Sequence, residues 1–270
     1  MISIDMKKQI LQHLPTECPW RDTLYWYDSI DSTNTKAKEL ARQGAPHGTV
    51  LVAGQQLGGR GRLGRSFHSP ANLGVYLSVI LRPACKPEEI MHLTCSTAVY
   101  ICDAVQTLCG VRPGVKWIND LVLNGKKLGG ILTELSVDPK TGLMQYAIVG
   151  IGINCRHSES DFPEELRSIA TSLTMAGFET DPAALAAAMI TALQQMDQAL
   201  LPEKHATMAR YRTDCITLGK EVTVHQAGTV TPGKALDIDE DGALVVAFPD
   251  GSVKAVNSGE VSVRGLYSYI

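Results

Sequence analysis

"QQLGGRGRLGRSFHSP", residues 55–70, crowds glycine and arginine into one short run. Within it Gly59-Arg60-Gly61-Arg62-Leu63-Gly64 satisfies the G-x-G-x-x-G spacing of dinucleotide-binding folds. That fingerprint has to close a strand, open a helix and be followed about 20 residues later by a carboxylate for a ribose. Here strands are expected on both sides, "GTVLVAGQ" (48–55) and "LGVYLSVIL" (73–81), the second with Val75, Leu77, Val79 and Leu81 on one face. The stretch Val79-Ile80-Leu81-Arg82 holds no carboxylate, and no Gly-Lys-Ser/Thr closes a P-loop. The segment is therefore a loop between strands. Arg60, Arg62 and Arg65 offer forked donors for phosphate or carboxylate, and the glycines let backbone N–H groups approach an anion and leave the loop mobile. A solvated surface loop or an RNA-binding Arg-Gly tract is the competing reading, although this single unit lacks the repetition and aromatic interleaving of such tracts.

Outward from the loop, "LYWYDSI" (24–30) reads as a strand, and Asp31-Ser32-Thr33 starts a helix over NTKAKELARQ that Gly44 ends. Residues 87–109 carry Ile90, Leu93, Ala98, Ile101, Val105 and Leu108 at helical spacing, which predicts one long helix. Four short strands follow, "VKW", "DLVLN", "LGGILTEL" and "QYAIVGIGIN", with Asn124-Gly125 as a hairpin signal. The last expected helix runs through "PAALAAAMITALQQMDQALL", capped by Asp181. From about residue 216 helical periods give way to short alternating strands punctuated by Gly and Asp-Gly. The expected fold class is α+β: a mixed, mostly antiparallel sheet flanked by helices, with a small C-terminal β-barrel. The expected division is a helical lead over 1–24, a catalytic domain over 25–215 and the barrel over 216–270.

The chain has 270 residues, 44% of them hydrophobic, enough for a sizeable core. With 25 Lys+Arg against 28 Asp+Glu the net charge is −3, so any polyanion site has to be local. Seven cysteines without a C-x-x-C pair argue against a disulfide framework and a zinc site, and fit a reducing, cytoplasmic setting. No stretch approaches the roughly 20 apolar residues of a membrane span, and MISIDMKKQILQHLP lacks the apolar core of a signal peptide.

A second segment, "VKWINDLVLNGKKLGGILTEL" (115–135), holds Lys116, Asn119 and Asp120 in one turn, with Lys127 and Gly129-Gly130 beyond the hairpin. A lysine fixed at a strand end can bridge two oxyanions, whereas Asn-Asp in a turn is also ordinary turn chemistry. Ser32 and Thr33 are good helix caps in their own right, Trp117 suits a core, and Gly150 and Gly152 can simply relieve crowding between strands.

Together these segments resemble the biotin protein ligases. Gly59–Arg65 matches GRGRxGR, and Lys116-Trp117-Ile118-Asn119-Asp120 matches KWPND. Asp31-Ser32-Thr33-Asn34 matches DSTN, Lys127–Leu132 matches KxxGIL, and Gly150-Ile151-Gly152-Ile153-Asn154 matches GxGIN. Gln56 stands three residues before the Gly-Arg motif, as in that family. Ile118 replaces the family's usual Pro, loosening the turn, and Phe67 replaces a frequent Trp, keeping an aromatic wall.

The resemblance implies a core like that of class II aminoacyl-tRNA synthetases with an SH3-like barrel. It implies joining of biotin's carboxylate to the α-phosphate of ATP, then transfer of biotin to a lysine of a biotin carboxyl carrier protein. Lys116 and Arg60 would be catalytic, with Mg²⁺ sharing phosphate charge. Ser32, Thr33, Asn34, Gln56, Gly59, Arg60, Arg62, Lys116, Gly129, Gly130, Gly150 and Gly152 would receive biotin. Arg60, Arg62, Arg65, Phe67, Lys116, Asn119, Asp120, Lys127 and Asn154 would hold ATP and the adenylate. No protein-bound metal is expected; the cysteines and histidines, His68 among them, are taken as incidental. The barrel suits a docking or lid-like role. Partners are expected to exclude specific DNA and membranes, because the lead before residue 25 is too short for a winged helix, and the chain to be a monomer or weak homodimer. A lipoate ligase and a biotin-sensing repressor are the alternatives.

Overall fold

The computed structural model describes residues 6–226, 229–257 and 260–263. The outermost residues of the expected lead and barrel, 1–5 and 264–270, lie outside them. The elements are α1 (Met6–His13), β1 (Leu24–Tyr27), α2 (Thr33–Arg42), β2 (Thr49–Ala53), β3 (Gly74–Leu81), α3 (Leu93–Cys109) and β4 (Gly114–Lys116). They continue with β5 (Asp120–Leu123), β6 (Lys126–Val137), β7 (Met144–Asn154), α4 (Glu164–Arg167), α5 (Pro182–Ala199) and α6 (Lys204–Asp214). The C-terminal strands are β8 (Glu221–Gln226), β9 (Thr229–Ile238), β10 (Leu244–Ala247), β11 (Val253–Val256) and β12 (Glu260–Val263).

The larger sheet has seven strands in the order β1-β2-β3-β7-β6-β5-β4; of these neighbouring pairs only β1–β2 is parallel. Every residue of β3 is buried, because helices cover both faces of the sheet centre. On one face Val75, Leu77, Val79 and Leu81 join the main core with α3 and α5, as their alternation predicts. On the other, Ile80 packs with Leu51 and Ile148 against Ala37 and Ala41 of α2. The β8–β12 strands form a separate five-stranded antiparallel sheet in the order β11-β10-β9-β8-β12.

Ser32 accepts from Thr35 N at 3.4 Å and Asp181 from Ala183 N at 3.1 Å, so both expected caps form. The expected single helix over 87–109 is instead broken: Pro87–Ile90 is a separate 3₁₀ turn, and α3 starts at Leu93. His92 marks the break, its ring turned inward to bond Leu200 O at 2.8 Å. Leu108, expected on the buried face, is 39% exposed in the last turn of α3. The helix after Asp181 is not the last, since α6 follows it. Its sequence KHATMARYRTD is too polar to show an apolar period, yet Met208 and Tyr211 are fully buried.

Candidate active site

The Gly/Arg segment joins β2 to β3, as expected, and carries backbone hydrogen bonds of its own. It folds into a short hairpin in which Gly61 N donates to Arg65 O at 2.7 Å and Phe67 N to Gly59 O at 2.9 Å. The tip, Leu63 and Gly64, turns through φ of 56° and 76°, a left-handed conformation that glycine adopts without penalty. The hairpin base is sewn to the start of α2 by Leu57 N→Ile30 O at 2.9 Å and Gly58 N→Asp31 O at 2.8 Å. The N–H groups of Gly58 and Gly61 therefore serve the loop's own fold, a correction to the expectation that the glycines bare them to an anion. A Cβ on Gly59 would strike the Phe67 carbonyl, so close backbone approach demands glycine there, whereas one on Gly58 would meet the Asp31 side chain, which can turn aside.

Over the sheet this hairpin encloses a cleft of about 240 Å³. The register across the strands explains its floor. Gly152 of β7 pairs with Gly130 of β6, Gly130 with Asp120 of β5, and Asp120 with Lys116 of β4. A row without bulky side chains thus leads to a lysine. The Phe67 ring lies over Gly152, occupying the space a Cβ would need, and packs edge-on to Tyr76 at 6.4 Å.

Cations gather at the β4–β6 end. Lys116 is only 7% exposed and lines the cleft. Arg62 Nη1 donates to Asn119 Oδ1 at 3.3 Å, and Lys127 Nζ to Asp120 Oδ1 at 2.6 Å. Burial lowers the Arg62 pKa, with the Asp120 carboxylate opposing that shift. Arg60 and Arg65 complete the cationic wall from the hairpin.

At the α2 end the lining side chains are neutral and fixed by hydrogen bonds within the protein. Gln56 Oε1 accepts from Thr33 N at 2.9 Å, and Gln56 Nε2 donates to Ser69 Oγ at 3.0 Å, which in turn donates to Phe67 O at 2.9 Å. Asn34 donates to Leu132 O at 3.2 Å and Glu134 Oε2 at 3.0 Å, and its side chain fills the space over Gly150. Burial raises the Glu134 pKa, but hydrogen bonds from Lys38 and Asn34 outweigh it and hold the carboxyl below its usual range.

The structure brings together at the cleft Ser32, Thr33, Asn34, Gln56, Arg60, Arg62, Arg65, Phe67, Lys116, Asn119, Asp120, Lys127, Gly130, Gly150, Gly152 and Asn154. Gly59 and Gly129 do not line it. Gly129 lies so close to the carbonyl of Gly152 on the adjoining strand that its role is backbone packing. Asn119 and Asn154 are also structural ties: Asn119 Nδ2 donates to Ile131 O and Asn154 Nδ2 to Thr171 O, each at 3.0 Å. Trp117 is buried in the core, as its large ring suits, and borders the cleft as well.

Sequence reading missed the apolar wall supplied by Phe162, Leu166, Ile169 and Ala170. The signal lay in FPEELRSIA, where Phe162, Leu166 and Ile169 are spaced as on one helical face about Pro163. His68 is not incidental: its Nε2 donates to Asp161 O at 2.9 Å, tying the hairpin stem to this wall. The C-terminal sheet also reaches the site. Trp117 N donates to Thr217 Oγ1 and Trp117 Nε1 to Gly242 O, both at 2.9 Å, while Arg212 and Lys204 of α6 pair with Glu240 and Asp241 of the same turn.

Such an arrangement suits a ligand with a neutral polar head, an apolar body and an anionic end, brought against a second anion by fixed cations. Asp120, the carboxylate in the cleft lining, is committed to Lys127, and among the described residues no group of three His, Cys, Asp or Glu side chains is placed to hold a metal ion. Nor is any described helix long and apolar enough to cross a membrane.

The family model described as biotin/lipoate A/B protein ligase family matches residues 26–154, and that of the biotin protein ligase C terminal domain matches residues 217–264. A bifunctional ligase/repressor BirA of Bacillus subtilis is 33% identical over 246 residues, covering 89% of this chain and 74% of its own. A biotin–[acetyl-CoA-carboxylase] ligase of Mycobacterium tuberculosis is 31% identical, covering 85% of each chain. Among solved structures, the biotin protein ligase from Aquifex aeolicus in complex with biotin and ATP superposes with a TM-score of 0.74 at 29% identity, over 89% of this chain and 98% of that one.

Proposed function

Because the chain belongs to the biotin/lipoate A/B protein ligase family, we propose that it is a biotin protein ligase acting in two steps. A carboxylate oxygen of biotin attacks the α-phosphorus of ATP and pyrophosphate leaves. The ε-amine of a lysine on a biotin carboxyl carrier protein then attacks the acyl carbonyl of the adenylate, AMP leaves, and an amide forms with loss of a proton. The observation that carries this reading is the joining, in one cleft, of buried Lys116 at one end and the neutral Ser32, Thr33, Gln56 group at the other.

Lys116 lies between the two oxyanions and offsets their repulsion as they meet, and Arg60, Arg62 and Arg65 take the phosphates. No side chain need act as a nucleophile. Mg²⁺, when bound with ATP, would share the phosphate charge with Arg60, Arg62 and Arg65. Phe67 and the Phe162–Ala170 segment wall the apolar chain and exclude water from an intermediate that water would destroy. A dithiolane ring would leave the hydrogen-bonding groups at the α2 end unused, which favours a ureido head over a lipoyl one.

The chain divides functionally at residues 215 and 216, works in the cytoplasm as a monomer or weak dimer, and binds no specific DNA. Incubation with ATP, Mg²⁺, biotin and a biotin carboxyl carrier domain, followed by mass measurement of the carrier, tests the activity; an unmodified carrier overturns it. A sequence-selective, salt-sensitive shift of promoter DNA with biotin and ATP present overturns the DNA statement.

A further inference from the structure

We infer that Ser78, a fully buried residue of β3, is a positioning residue that together with Gln56 holds Thr33 as a hydrogen-bond acceptor toward the ligand, and so helps set which ureido groups the cleft accepts. The inference rests on the biotin reading above. Ser78 Oγ lies 2.8 Å from Thr33 Oγ1 and 2.7 Å from Asn34 Oδ1, yet a hydroxyl carries a single hydrogen. Asn34 decides where it goes. Its amide nitrogen is committed to Leu132 O and the Glu134 carboxylate, both pure acceptors, so its Oδ1 faces Ser78 and can only accept. Ser78 therefore donates to Asn34 and turns lone pairs toward Thr33.

The Thr33 hydroxyl then has two acceptors behind it, Ser78 Oγ at 2.8 Å and Gln56 Oε1 at 3.0 Å. Gln56 is itself fixed, because its nitrogen donates to Ser69. Whichever acceptor takes the Thr33 hydrogen, it points into the protein, and the cleft meets only lone pairs. A ligand N–H is received there; a ligand oxygen is repelled. The set is anchored from solvent to loop, since Lys38 Nζ holds Glu134 at 2.7 Å and Ser69 holds the Phe67 carbonyl at 2.9 Å.

The test uses the full chain and direct calorimetric binding of biotin and of two cyclic carbamate analogues, each with one ureido N–H replaced by oxygen. Wild type is expected to bind at least one analogue about 10-fold or more weakly than biotin, the worth of a lost neutral hydrogen bond. In Ser78→Ala the Thr33 hydroxyl is left with one inward acceptor, Gln56 Oε1, which Thr33 N already engages at 2.9 Å, so turning outward costs less and that gap should shrink severalfold while the affinity for biotin itself falls. A weakened biotin affinity with the gap intact makes Ser78 merely structural and overturns the inference, as does a wild type that does not distinguish the analogues. Circular dichroism and thermal unfolding check the variant. If Ser78→Ala does not fold, Ser78→Cys, which keeps the volume with a feebler donor and acceptor, takes its place: a narrowed gap supports the inference and an intact gap overturns it. A folded wild type that binds neither biotin nor analogue fails the biotin reading itself, a result distinct from an unchanged gap.

Discussion

The indole N–H of Trp117 donates to the carbonyl of Gly242 at 2.9 Å, so the residue beside Lys116 is fastened to a turn of the C-terminal sheet. With Trp117 N bonded to Thr217 and the Tyr211 hydroxyl donating to Ile118 O at 3.2 Å, the end of β4 is braced on three sides. A turn of the small sheet thereby helps hold the strand end that carries Lys116, beyond the docking role expected of it.

Trp117→Phe keeps an aromatic ring but removes the donor and part of the indole's volume. We expect it to destabilise the chain by about 1–3 kcal/mol, because a buried carbonyl loses its partner. We also expect biotin-dependent ATP–pyrophosphate exchange to slow by about 10-fold or more, since small misplacements of a reacting group are costly. Tm and the exchange rate are the measurements. An unchanged rate in a folded variant would show that the brace does not position Lys116.

Lys116→Ala should abolish exchange while leaving the fold intact. Loss of a fixed cation between two oxyanions is expected to cost on the order of 3 kcal/mol or more of transition-state stabilisation. Retention of exchange near the wild-type rate refutes the role.

Arg60 sits exposed on the hairpin and lines the cleft, so its contact with phosphate would fasten the hairpin over the adenylate. Arg60→Gly is expected to weaken retention of the intermediate by roughly 1.5–3 kcal/mol, about 10- to 150-fold in dissociation rate, with less effect on biotin recognition through Thr33 and Gln56. Released adenylate would then label bystander lysines. Serum albumin added to the variant with ATP and biotin should become biotinylated; if it does not while adenylate is made, the hairpin is not the gate.

His157 is fully buried, stacked on Phe162 at 4.7 Å, and burial pushes its pKa from 6.5 down to about 4. The unfolded chain takes up this proton at higher pH than the folded one, so stability is complete above about 6.5 and falls as pH drops toward 4. The loss amounts to about 3 kcal/mol by the low end of that window. His157→Gln should flatten the Tm profile between these pH values. Parallel profiles for the two proteins would assign the acid sensitivity elsewhere.

By itself the sequence determined the strand-loop-strand setting of the Gly/Arg segment, the caps at Ser32 and Asp181, the change to short strands after 216, and the polar residues of both motifs. These are local matters: alternation, capping and turn chemistry act over a few residues, and a motif keeps its meaning wherever the chain carries it. Only the tertiary structure decided that Asn34 and Phe67 fill the space over Gly150 and Gly152, that Ser78 meets the hydroxyl of Thr33, and that Gly242 and Thr217 brace Trp117. Each such relationship joins residues tens to more than a hundred positions apart, as in Trp117 and Gly242, so no window along the chain contains both partners. The helix α6 was hidden for a related reason: its burial comes from packing on α3 and the C-terminal sheet, which leaves no apolar period in a segment that is polar on average. Gly59 and Gly129 show the converse, since a motif names a glycine without telling whether a ligand or a neighbouring carbonyl requires the missing side chain.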